Sequence, residues 1–233
     1  MQNTVLHNNV AKYSLNNLLI KAMNLSQLRL PEPALRRLPW YLSYAKLALE
    51  RGETTVSSTQ IAKDIGVEAS MVAKDLSYIN VTGKTRVGYS TFTLIEVIET
   101  FLGFTETHKA FLFGVGRLGG SLLQDNGLRQ FGLEIISAFD VKFEMAGTNI
   151  NHIPIHHIDR MQELKKQTGV NIGILTVPIS QAQEVADLMI QANFKAIWNF
   201  TPIRIRVPND IVVQNTSIYA HLAVMFNRLK NSK

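Results

Sequence analysis

Residues 111–123, FLFGVGRLGGSLL, pass from an unbroken apolar segment through three glycines spaced G-x-G-x-x-G into residues suited to a helix. A short, fully apolar segment suits a central parallel strand. Parallel neighbours need a crossover connection, so the pattern calls for alternating strands and helices. In such a unit Gly114 makes the turn, Gly116 lets a pyrophosphate approach the backbone, and Gly119 lets helix and strand pack closely. The first N–H groups of the helix, with the positive end of its dipole, then face the phosphate. Gly114, Val115, Gly116, Arg117, Leu118 and Gly119 are the candidate contacts.

A second element supports this reading. LEIISAFD is another buried strand and ends in Asp140, 21 residues past Gly119, with Val141 beside it. A carboxylate there accepts hydrogen bonds from ribose hydroxyls and repels a 2′-phosphate. NAD(H) is therefore expected over NADP(H), with Lys142 as the nearby counterweight. The alternation continues through NIGILTVP (strand), ISQAQEVADLMIQAN (helix), KAIWNF (strand), DIVVQN (short strand) and TSIYAHLAVMFNRLK, a final amphipathic helix. Ligands of such sheets sit beyond the carboxyl ends of the strands. Thr176, Val177 and Pro178, and Asn199, Phe200 and Thr201, are thus expected near the nicotinamide end.

The glycine motif stands almost halfway along 233 residues, so something else precedes it. The net charge of +6 is unevenly divided: residues 1–92 carry 11 Lys and Arg against 6 Asp and Glu, and residues 93–233 carry 13 against 12. The basic excess of the first part suggests a polyanion partner there. In ALRRLPWYLSYAKLALE, residues 34–50, Leu35, Leu38, Leu42, Ala45 and Leu49 form one apolar stripe, with Pro39 expected to interrupt or kink the helix early. In SSTQIAKDIGVEASMVAKDLSYI, Ser57 or Ser58 can cap a short helix and Gly66 permits a tight turn. A second helix would carry Met71, Val72, Leu76 and Ile79 inward. Ala62 allows close helix approach and Val72 packs back between the helices. That is a helix-turn-helix, whose second helix can enter the major groove. VTGKTRVGYS then reads as a hairpin with Gly83 at its tip, a basic wing able to reach phosphates.

The absence of cysteine excludes disulfides, thiolate metal sites and cysteine nucleophiles. No apolar run approaches about 20 residues, so no membrane helix is expected. MQNTVLHNNV does not read as a secretory signal, which makes the cytoplasm the expected compartment. His152, His156 and His157 cluster, but Pro154 breaks helical spacing and no carboxylate lies among them, so no metal is expected. Hydride transfer needs a proton donor or acceptor and a substrate site. There is no Tyr-x-x-x-Lys pair, and the nucleotide domain fills the second part. A binding protein is therefore expected, with a small NAD-dependent oxidoreductase as the alternative. Leu15, Leu18, Leu19, Met23 and Leu25 could line a short helix, but residues 1–29 are left unassigned.

Over roughly residues 30–229 the chain resembles the bacterial Rex family of redox-sensing transcriptional repressors. LPEPALRRLPWYLSYAKL, SSTQIAKDIGV, KDLSYI followed by GKTRVGY, GVGRLG, AFD, HHID, ILTVP, AQEVAD and NFTPIRIRVP carry the likeness, in order and at matching spacing. The resemblance implies a winged helix-turn-helix domain (30–92), a connecting helix (93–107), a Rossmann dinucleotide-binding domain (108–215) and a domain-swapped C-terminal helix (216–233). It implies a homodimer, joined through that helix, on a palindromic operator in double-stranded DNA, with NADH binding releasing the DNA and NAD⁺ permitting binding. Ser58, Ser70, Lys74, Ser77, Tyr78, Lys84 and Arg86 are the candidate DNA contacts, and Tyr89 is the family's tyrosine that reaches the nicotinamide region. There are departures. Ala73 stands where the family's recognition helix has arginine, Ile79-Asn80 replaces Phe-Gly, and Thr85-Arg86 replaces the wing's Arg-Gly. The aspartate expected at the start of the last helix is Ser217, and its arginine partner falls at Ser43. Losing both avoids an unpaired charge at a closed interface.

Overall fold

A computed structural model describes residues 30–231; the helix considered within residues 1–29 and the last two residues lie outside them. The chain divides into two compact units, with the boundary between Thr105 and Glu106.

The first unit opens with α1 (Glu32–Glu50), preceded by Pro31. Pro39 lies inside this helix, which nonetheless runs through it to Glu50. The buried face of α1 is Ala34, Leu38, Tyr41, Leu42, Tyr44, Ala45 and Ala48, which includes Leu38, Leu42 and Ala45 of the expected stripe, while its end members Leu35 and Leu49 are exposed. The face is completed by Ala34, Ala48, Tyr41 and Tyr44 in addition to those three residues. After β1 (Thr55–Val56), α2 (Ser58–Ile65) begins at Ser57, whose hydroxyl accepts from Gln60 N while Gln60 Oε1 accepts from Ser57 N. Such a reciprocal cap stabilises a helix start by about 1 kcal/mol. Gly66 ends the helix at φ 71°, in the left-handed region that favours glycine.

α3 (Ala69–Tyr78) follows, and Ala62 and Val72 are both buried as the helix-turn-helix spacing requires. Met71, expected inward, is 38% exposed instead. It is adjacent to buried Val72 on the helix, where successive residues point about 100° apart, so only one of the two can face the core. β2 (Tyr89–Ser90) pairs antiparallel with β1. The hairpin before it closes between Lys84 and Gly88, with Lys84 N donating to Gly88 O and Gly88 N to Lys84 O. Its tip is therefore Thr85–Val87, not Gly83, whose Cα faces the Tyr89 ring. α4 (Thr91–Phe101), read from the sequence as a connector, buries Leu94 and Ile98 in the core of this unit against α1.

The second unit holds a seven-stranded sheet. Its strands are β3 (His108–Phe113), β4 (Leu133–Asp140), β5 (Asn149–Ile150), β6 (Ile153–His157), β7 (Ile172–Leu175), β8 (Ala196–Asn199) and β9 (Val212–Asn215), ordered β5-β6-β4-β3-β7-β8-β9 across the sheet. All neighbours are parallel except β5 and β6. The helices between them are α5 (Arg117–Gln124), α6 (Gly127–Gln130), α7 (Met161–Thr168) and α8 (Ala182–Gln191). One face is built on Phe111, Phe113, Phe139 and Phe194, with ring centroids 5.0–6.2 Å apart. The chain runs outward from β3 in one direction through β4 and β6, then returns to β7 on the other side. The carboxyl ends of β3 and β7 thus flank the point where strand order reverses, where doubly wound sheets bind ligands. This is the Rossmann arrangement expected from the glycine motif. The chain closes with α9 (Ile218–Asn231), none of whose residues is buried.

Candidate dinucleotide pocket and DNA-facing surface

The turn from β3 into α5 is held by hydrogen bonds that leave little freedom. Thr176, just past β7, directs its hydroxyl at Phe113 O and Gly114 O, at 2.9 and 2.8 Å, and its N–H donates to Phe113 O. At Gly119 a Cβ would lie 2.1 Å from Gly114 O, so the helix can approach the turn only with glycine there. At Gly116 a Cβ would meet nothing within 4 Å. The open side of the loop therefore lies at Gly116, where a pyrophosphate is expected to approach.

Asp140 ends β4 beside this loop. Its Oδ2 accepts from Val115 N at 2.8 Å and its Oδ1 from Lys142 N at 3.0 Å. The carboxylate is thus aimed by backbone donors and keeps further lone pairs for a ribose. A cavity of about 380 Å³ opens here, lined by Gly114, Gly116, Asp140, Val141, Thr176, Val177 and Pro178 among the expected residues. Phe113, Phe139, Lys142, Ile158, Gln181 and Val185 also line it. Gln181, at the end of the short 3-10 turn before α8, and Val185, in the first turn of α8, were missed because sequence reading treats a helix start after a strand as packing. Their signal was position: they follow the carboxyl end of a strand adjacent to the glycine loop. The residues present fit a dinucleotide: an open glycine turn, a helix start and a carboxylate at the next strand's end.

Other expected contacts lie elsewhere. Val115, Arg117 and Leu118 do not line the cavity; Val115 contributes through its N–H to Asp140. Asn199, Phe200 and Thr201 are not brought to it either. Asn199 is fully buried, donating to Ile203 O and Asn215 Oδ1 and accepting from the Thr201 N–H and hydroxyl, while Phe200 packs on Trp198. They tie down the segment after β8. Tyr89 lies in the core of the first unit, where burial raises its hydroxyl above the usual range. Ser217 caps α9, accepting from Ala220 N at 3.2 Å, and the exposed Ser43 donates to Pro39 O.

The three histidines do not converge. His152 sits in the β5–β6 turn at φ 64°, His156 packs on Phe139, and His157 stacks on Phe143 with ring centroids 4.0 Å apart. Burial lowers the His156 pKa, which favours the neutral ring.

On the first unit, α3 presents Ser70, Lys74 and Ser77 to solvent, and Tyr78 is half-buried. Ser77 Oγ donates to Lys74 O at 2.6 Å. Ser70, Lys74 and Tyr78 border a groove shared with Met71, Pro31, Pro33 and Arg37. Lys84 and Arg86 are exposed on the hairpin, with Arg86 at φ 65°, and Ser58 is half-buried in the first turn of α2. Among the described residues, no helix is long and apolar enough to cross a membrane.

Two family profiles match, one described as "CoA binding domain" over residues 105–203 and one as "Putative DNA-binding protein N-terminus" over 29–77. A protein of Bacteroides thetaiotaomicron named redox-sensing transcriptional repressor Rex is 65% identical over 201 residues, 86% of this chain and 91% of that protein. A Porphyromonas gingivalis protein of the same name is 61% identical, over 87% of this chain and 93% of its own. Among solved structures, RSP in complex with β-NAD⁺ and operator DNA superposes with a TM-score of 0.83 at 27% identity, over 88% of this chain and 95% of that one. RSP in complex with β-NADH gives 0.79 at 28% identity, over 87% and 95%.

Proposed function

The chain belongs to the Rex family of redox-sensing transcriptional repressors, and from that premise we propose how its residues carry the work. It is a DNA-binding repressor that responds to NAD(H), and it is not an enzyme. The reading is carried by one conjunction: a helix-turn-helix with donor-bearing residues outward, followed in the same chain by a glycine turn and an aimed Asp140.

Gly114, Gly116 and the start of α5 hold the pyrophosphate, and Asp140 holds a ribose. Thr176, Val177 and Pro178 face the nicotinamide side. The dinucleotide supplies a ring that is positively charged when oxidised and neutral when reduced. Lys84 and Arg86 contact phosphates, and Ser70, Lys74 and Ser77 meet base edges. The protein acts in the cytoplasm as a homodimer on a palindromic operator, which NADH releases and NAD⁺ permits. The exposed Tyr219, Phe226 and Leu229 of α9, uncovered among the described residues, support a second copy as its partner. Gel shifts with a palindromic operator, titrated separately with NADH and NAD⁺, test this. NADH is expected to release the DNA; equal response to both forms would remove the sensor reading.

A further inference from the structure

α3 carries one carboxylate on its inner side. Asp75, next to Lys74, is 2% exposed, beside a core cluster of Leu, Ile, Val, Ala and Tyr. Three hydrogen bonds from α1 hold it: Arg37 Nε to Oδ2 at 2.6 Å, Arg37 Nη2 to Oδ1 at 2.9 Å, and the Tyr41 hydroxyl to Oδ2 at 2.6 Å. Arg37 and Tyr41 stand four residues apart, on one face of their helix. The arginine grips both carboxylate oxygens, and such a fork fixes direction as well as distance. Burial, and then its bond to Asp75, keep the Tyr41 hydroxyl protonated and therefore a donor.

Stability alone does not account for this bridge. The carboxylate is buried and the Arg37 side chain 25% exposed, and neither a buried nor a part-exposed ion pair returns much over well-packed apolar residues of the same volume. Apolar contacts are also non-directional. Val72, Leu76 and Ile79 bury the apolar face of α3, and the two-pronged bond from Arg37 adds a directional constraint on its rotation. A side-chain head about 6 Å from a helix axis moves about 2 Å for a 20° rotation. That is enough to lose a hydrogen bond to a base edge.

We infer that Arg37, Tyr41 and Asp75 are positioning residues for sequence reading: they set the rotation of α3 about its axis, and with it which bases Ser70, Lys74 and Ser77 meet. The inference rests on α3 being the recognition helix. The test uses the full chain and compares affinity for the operator with affinity for an unrelated duplex of equal length at one salt concentration. In the triple variant Arg37→Met, Tyr41→Phe, Asp75→Leu, apolar groups replace the whole bridge and no charge is left unpaired. Its operator preference is expected to fall about tenfold, equivalent to about 1.4 kcal/mol. Affinity for the unrelated duplex should stay within about threefold, because the wing's phosphate contacts are untouched, and NADH affinity should not change. Arg37→Lys, which keeps the charge and loses the fork, should lower the preference severalfold; it carries the test alone if the triple variant does not fold. An operator preference unchanged in the folded variants overturns the inference. A wild-type chain with no operator preference overturns the recognition-helix reading itself, and the two failures are thereby told apart.

Discussion

At Gly116 the backbone is extended and open, whereas at Gly119 any side chain would strike Gly114 O. Two substitutions in one motif should therefore fail differently. Gly116→Val should leave thermal stability within about 0.5 kcal/mol and weaken NADH binding by at least about a hundredfold, roughly 2.7 kcal/mol, by blocking the pyrophosphate. Gly119→Ala should lower the melting temperature itself, since α5 must move. Calorimetric titration beside thermal unfolding separates them, and a Gly116→Val protein that binds NADH normally sinks the loop assignment. Asp140→Ala should weaken NAD(H) and narrow its advantage over NADP(H), because it removes both the ribose acceptor and the repulsion of a 2′-phosphate. The same change frees the N–H groups of Val115 and Lys142, so some loss of affinity will come from a loosened loop. Equal retention of the NAD(H) preference would assign selectivity elsewhere in the cavity.

Among the elements, the wing is the smallest and the most exposed to test. It hangs on one bridged pair, Lys84 and Gly88, and Gly88 at φ 95° lies so close to β1 that a Cβ would fall 2.4 Å from Val56 O. Gly88→Ala should therefore displace the hairpin and weaken operator binding without touching a charge. Replacing Lys84 and Arg86 together by alanine should weaken binding to every duplex and flatten the slope of log affinity against log salt by about 2. Operator affinity that survives the double change at moderate salt would show that the hairpin does not meet DNA. Arg86 also bears strain, since its left-handed backbone occupies a position where the resembled family carries glycine. Arg86→Gly should therefore relieve a cost of about 1 kcal/mol in the hairpin while still losing a phosphate contact.

For the whole molecule the expectations concern assembly and switching. α9 exposes Ile218, Tyr219, Leu222, Val224, Met225, Phe226 and Leu229, far more apolar surface than a solvated helix keeps. A dimer at micromolar concentration is expected by sedimentation, and a stable monomer there would count against an exchanged helix. The redox response should be blunter than in family members that retain a charged pair. A ligand shifts an equilibrium only through its differential affinity for two states. Ser217 and Ser43 stand in those positions, and a hydroxyl can offer only a neutral hydrogen bond, roughly half as strong as a charge-assisted one. Loss of about 1.4 kcal/mol would cut the discrimination tenfold. Operator affinity at saturating NADH and then NAD⁺ measures it, and a ratio as large as in relatives with both charges would end this idea.

The sequence by itself determined the features that depend on local spacing. The glycine turn, Asp140 at its interval, the strand–helix alternation and the Ala62–Gly66–Val72 turn are all set by backbone sterics and by period, which act between near neighbours. It also carried the family likeness, whose motifs are local strings. Tertiary structure decided whatever depends on which surfaces meet. The packing face of α1 keeps Leu38, Leu42 and Ala45 of the stripe and adds Ala34, Tyr41, Tyr44 and Ala48, while Leu35 and Leu49 stay exposed, because which flank of a stripe is covered depends on the helices that meet it. The hairpin tip falls at Thr85–Val87 because the chain closes between Lys84 and Gly88, a pairing that the position of Gly83 in the sequence does not announce. Asn199 looked like a pocket residue and is a buried strut, since a strand end can point to ligand or to its own chain with the same sequence. The bridge from Arg37 and Tyr41 to Asp75 joins residues 34 to 38 positions apart. No periodicity marks such a pair, because the energy that selects it exists only once the two helices have met.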